Sequence, residues 1–184
     1  MPTIGVLLYF ILIPINLDSY QQYKMLAIVF TLTYIIPILL LILLKAIGFV
    51  NSYQVNSIKE RKVPIFFMIS LYFLLGRFFS RIDIINDLSY LFFGVVIGLI
   101  FIYILFTASV KVSLHLLSMG IASGYFLLFQ LIHNVYTLPI IIVFILLSGL
   151  LASARLNLKV HTINEVFIGF CIGIISPFLA YYIL

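Results

Sequence analysis

The chain reads as an all-α, polytopic membrane helix bundle of six to seven transmembrane helices, on three observations. Its 184 residues are 65% hydrophobic and only 8% charged. The apolar residues gather into runs of bilayer-spanning length, separated by short polar breaks. No polar stretch is long enough for a separate soluble domain, the longest being Asn51 to Lys62. A water-soluble domain of this size lacks the polar residues to cover so much apolar surface, so its solvent is largely lipid. We therefore take residues 1–184 as one integral membrane domain.

The runs follow in order. Pro2 to Leu17 is short, carries Pro14, and is a marginal span. Its first residues lack a basic n-region and an A-x-A-like site, so the stretch reads as retained rather than as a cleaved leader. Met25 to Leu44 is a full span, loosened near Pro37 because proline removes a backbone donor. Val63 to Gly76 is short, but Arg77 and Arg81 extend it by snorkelling. Leu88 to Val110 is a clear span. The next apolar run breaks at "HNVYTLP", which has turn composition, and yields Ser113–Ile132 and Leu138–Ala154. Val166 to Leu184 is the last. Gly94–Gly98, Gly120–Gly124 and Gly169–Gly173 are G-x-x-x-G pairs, the pattern that lets helix backbones approach in lipid. Cys171 is the single cysteine and has no partner for an internal disulfide.

The net charge of +5 does not point to nucleic acid, because the basic residues form no stripe. Anionic or phosphorylated lipid is the better partner. Counting crossings places three polar clusters on one membrane face: Asn56 to Pro64, Lys111 to His115, and Arg155 to Glu165. In the third, "SARLNLKVHTINE", a helix would put His161 and Glu165 on one face as i and i+4. A carboxylate bonded to one imidazole nitrogen makes the other a better base or nucleophile. Arg155 can fork onto phosphate oxygens. The same residues also spell a capping box, Thr162-x-x-Glu165, and Arg155 could simply anchor a helix end.

In the second cluster Lys111 can contact phosphate, Ser113 can donate to it, and His115 can act as a general acid. The plainer alternative is a snorkelling lysine and a histidine bonded within the bundle. In the first, Lys59, Arg61 and Lys62 form either an anion-binding patch or an ordinary basic loop. His133, Arg77, Arg81, Asp83 and Asp87 fall on the opposite face. There His133 reads as a loop residue and the others as interfacial anchors and ion pairs. No metal site is expected, since His115 and His161 have no acidic cluster beside them.

Together the clusters resemble the type 2 phosphatidic acid phosphatase superfamily of membrane phosphatases, in a divergent bacterial branch. Its motifs are a basic stretch ending in Arg-Pro, then Pro-Ser-Gly-His, then Ser-Arg, five residues, His, three residues, Asp. This chain reads Lys59-Glu60-Arg61-Lys62-Val63-Pro64, then Val112-Ser113-Leu114-His115. Its third motif is Ser153-Ala-Arg155, five residues, His161, three residues, Glu165. The departures are an inserted alanine, Glu for Asp, and the loss of Pro and Gly around Ser113.

The resemblance covers Asn56 to the C-terminus. It implies hydrolysis of a lipid phosphate or isoprenyl pyrophosphate without metal or other cofactor. His161 would be the nucleophile, Glu165 its orienting group and His115 the general acid. Arg155, Lys111, Ser113, Lys59, Arg61 and Lys62 would hold the phosphate. It also implies a bacterial inner-membrane protein with its site facing the periplasm. Outside the site, Lys45 and Lys159 stand on the site face against Lys24, Arg77 and Arg81 on the other, which leans the same way. The altered second motif leaves open a second class, a non-catalytic protein that binds or transports lipid phosphate on the same scaffold.

Overall fold

The computed structural model describes residues 2–13, 15, 17–49 and 58–184. Among them there is helix and no strand. Among the described residues six helices are long and apolar enough, by length and composition, to cross a membrane. The protein is an all-α membrane helix bundle.

Helix α1 (Pro2–Leu12) has 11 residues. At 1.5 Å per residue it rises about 16 Å, half of a hydrocarbon core of about 30 Å. The marginal first span is thus a half-depth helix. Its Val6 and Tyr9 are buried, and Tyr9 packs edge-on against Phe129, 5.7 Å between ring centres.

Helices α2 (Ser19–Phe30) and α3 (Ile36–Ala46) form one continuous run, joined by a π-helical turn at Thr31–Ile35. The turn explains the loosening expected at Pro37. Proline has no N–H, and its ring crowds the carbonyl four residues earlier, so the preceding turn widens. Thr33 in that turn lies 3.1 Å, hydroxyl to hydroxyl, from Thr3 of α1.

Helix α4 (Ile58–Phe79) begins earlier than the sequence suggested. Residues 59–62 form its first turns and not a loop, because nothing in Lys-Glu-Arg-Lys opposes helix. The rest of the polar stretch, 51–57, lies outside the described residues. A 3-10 turn (Asp83–Ile85) leads into α5 (Leu88–Thr107). Then come α6 (Leu114–His133), α7 (Leu138–Asn157) and α8 (Ile163–Ile183). The break at "HNVYTLP" is real: Asn134 takes the left-handed conformation (φ 54°) that ends α6.

His133 closes α6 and is not a loop residue. Its Nε2 lies 3.1 Å from Asp87 Oδ1, just before α5. The pair is partly exposed, so a double-mutant cycle of Asp87→Ala and His133→Ala should give a coupling of at most about 1 kcal/mol. Thermal unfolding in detergent measures it.

The glycine pairs build the seam that positions the site. A Cβ on Gly120 would press into the carbonyl oxygen of Phe170 and lie 3.0 Å from the Cα of Gly173. A Cβ on Gly124 would meet the backbone of Ile174, and one on Gly173 the carbonyl of Leu117. α6 and α8 therefore pack backbone to backbone. On α5, a Cβ on Gly94 would stand 3.1 Å from the Cα of Pro177 of α8, while one on Gly98 would meet the side chains of Leu117 and Ser176. Alternating directions bring the starts of α4, α6 and α8 and the end of α7 to one end of the bundle.

Candidate functional site

The α6–α8 seam docks the second polar cluster onto the third. The Ser113 N–H donates to the Glu165 carbonyl oxygen at 3.2 Å. Below it, a Cβ on Gly169 would stand 2.7 Å from the Ser113 carbonyl oxygen. Ser113 is the residue preceding α6 and is 0% exposed, and its hydroxyl has no hydrogen-bond partner. The residue expected to donate to phosphate thus sits behind the polar cluster and joins the two motifs through its main chain.

Glu165 carries both meanings that its spacing allowed. Thr162 Oγ1 accepts from the Glu165 N–H at 3.4 Å, and Glu165 Oε2 accepts from the Thr162 N–H at 3.4 Å, a complete capping box. The same Oε2 lies 2.7 Å from His161 Nδ1. A carboxylate only accepts, so Nδ1 carries the proton and Nε2 is left for chemistry. The His161 side chain is 5% exposed and that of Glu165 19%.

One detail of the expected geometry is corrected. His161 is not on a helix with Glu165; it precedes the capping residue Thr162, in a bend. The pair forms because the cap turns the chain back over the first turn of α8. The segment from Arg155 to His161 completes the detour. Arg155 lies in the last turn of α7, and Lys159 adopts a left-handed conformation (φ 53°) that reverses the chain.

His115, the second residue of α6, is exposed at the same end. Arg155, His161 and Arg61 all lie within electrostatic reach of it. Glu165 is within similar reach of Arg61. Five of the expected residues therefore gather at one end of the bundle: His115, Arg155, His161, Glu165 and Arg61. The first cluster joins them through one arginine at the start of α4. Lys62 is half-buried beside Arg61, and Lys111 stands exposed before α6. Neither takes part in the His161–Glu165 pair. The side chain of Lys59 lies outside the described residues.

Two features were not singled out in the sequence. Ser118 Oγ donates to the His115 carbonyl oxygen at 2.8 Å, one turn below it. The Ser113–Glu165 main-chain bond is the second, and a main-chain contact leaves no trace in residue type. Among the described residues, no three His, Cys, Asp or Glu side chains gather at one point.

The arrangement offers an oriented imidazole, a second imidazole and two guanidinium groups at one bundle end. That set suits nucleophilic attack on an anionic centre whose charge the arginines hold. Glu165 provides a direct test. Glu165→Gln keeps the capping box, so its thermal midpoint should stay within about 2 °C of wild type. It cannot stabilise an imidazolium, so any histidine-dependent turnover should fall about 100-fold or more. Glu165→Asp should keep part of it. Equal turnover in Glu165→Gln and wild type would make this residue a cap alone. No protein-family model, curated protein or solved structure matches the chain.

Proposed function

We propose that this membrane protein hydrolyses the phosphate ester or anhydride of a membrane lipid through a phosphohistidine on His161. The observation that carries the reading is the 2.7 Å contact between His161 Nδ1 and Glu165 Oε2, with His115, Arg155 and Arg61 around it.

The step balances without further reactants. His161 Nε2 attacks phosphorus as the bond to the leaving oxygen breaks, and His115 gives that oxygen its proton. Glu165 stabilises the imidazolium that forms. Water then attacks the phosphohistidine, gives a proton to His115, and releases inorganic phosphate. Arg155 and Arg61 hold the phosphoryl oxygens as charge builds on them. Lys59, Lys62 and Lys111 strengthen the positive field at the approach.

A bacterial inner-membrane location with the site toward the periplasm fits the weak residual charge bias. Ionisable groups are costly at membrane depth, and phosphate transfer is a reason to keep them. One observation favours the alternative, a protein that binds lipid phosphate without turning it over: the sealed hydroxyl of Ser113 removes a donor that a catalytic site would use. Purified protein in detergent, given a panel of lipid mono- and pyrophosphates with EDTA present, separates the two. Release of inorganic phosphate, undiminished by EDTA, supports hydrolysis. Binding without release from any substrate supports the alternative.

A further inference from the structure

A cavity of about 100 Å³ opens between α1, α4, α5 and α6. Its wall is apolar apart from Ser118 and Tyr72. Three alignments tie it to the polar cluster. On α6 its lining begins at Leu114, next to His115, and continues to Ala122. That stretch, eight steps of the helix, covers about 12 Å along its axis. On α4 the lining begins at Ile65, one turn beyond Arg61, and continues to Tyr72. Ser118 belongs to both, since it lines the cavity and bonds the His115 carbonyl. On α6 and α4 the lining thus starts within one turn of His115 and Arg61 and runs inward.

We infer that this cavity holds one hydrocarbon chain of the lipid whose phosphate meets His115, Arg155 and His161, and that α1 is its outer wall. The inference rests on the phosphate-binding reading above and adds the tail. Apolar cavities of this order stay dry and accept apolar guests. A phosphate at the polar end and a chain in the slot make one amphiphile. Pro2 and Gly5 of α1 line its side.

The test compares single-chain phosphates of eighteen and six carbons. Wild type should prefer the longer by about tenfold or more in kcat/KM, as apolar pockets discriminate chain atoms. Ala122→Phe fills the slot and should bring the ratio near one. Ala122→Leu, a smaller change, should lower it part-way and serves if the Phe variant does not fold. Leu150→Phe, on the exposed face of α7, should leave the ratio as in wild type. Should wild type release no phosphate, the hydrolytic reading falls, and the same ratio is read from the shift in thermal midpoint that each phosphate produces. A ratio near one in wild type, or one that Ala122→Phe does not change, overturns the tail site whichever readout supplies it.

Discussion

His161→Ala should abolish phosphate release, by about 10⁴-fold or more, while lipid phosphate still binds. The alanine removes the atom that attacks phosphorus, so no phosphorylated intermediate forms. Arg155 and Arg61 remain to hold the anion. The double signature matters, because a merely structural His161 would weaken binding and turnover together. Rapid acid-free quenching with labelled substrate should trap phosphate on the wild-type protein and none on the variant. Full turnover by His161→Ala would end the phosphohistidine mechanism.

His115→Ala separates the two imidazoles. A general acid matters most when the leaving oxygen is a poor leaving group. The variant should therefore lose about 10²-fold or more on a monoester and clearly less on a pyrophosphate, whose leaving group is already acidic. An equal loss on both would assign His115 to binding.

Much of this arrangement was legible in the sequence. Apolar run lengths placed α5, α6, α7 and α8 within a few residues, because a bilayer imposes a length that composition reveals. Counting crossings brought Arg155, His161 and His115 to one end, where the structure has them within electrostatic reach. The misreadings have local causes. α1 reads as a marginal span, and its 11 helical residues are about half the length that a bilayer core needs. The charge of Lys59 to Lys62 suggests a loop, whereas these are good helix formers that open α4. Spacing alone puts His161 and Glu165 on one helix. The capping box ends the helix between them and brings them together by a different path. The residue type of Ser113 suggests a ligand donor; its burial goes with the close approach of Gly169, which no local pattern encodes.

That approach sets the second large effect. Gly173→Leu should lower the thermal midpoint by about 6–12 °C, the result of roughly 3 kcal/mol of overpacking. Its Cβ would press into the Leu117 carbonyl and lie 2.9 Å from the Cα of Gly120. Both are main-chain atoms, which cannot rotate away as a side chain can. The only relief is to part α6 from α8. Parting them also strains the Ser113–Glu165 bond, so turnover should fall with stability. Gly149→Leu is the control. It is a glycine in the middle of α7 with nothing within 4 Å of an added Cβ. Leucine there gains helix propensity of up to about 1 kcal/mol and meets no neighbour, so the midpoint should hold or rise. Gly76 falls between them, because its added Cβ would meet only the ring of Phe93, which can turn. The order Gly173→Leu, Gly76→Ala, Gly149→Leu, from most to least damaging, is the expected result from thermal unfolding in one detergent. If Gly173→Leu melts with Gly149→Leu, the helices are not packed backbone to backbone. The seam would then no longer explain how Ser113 and Glu165 meet.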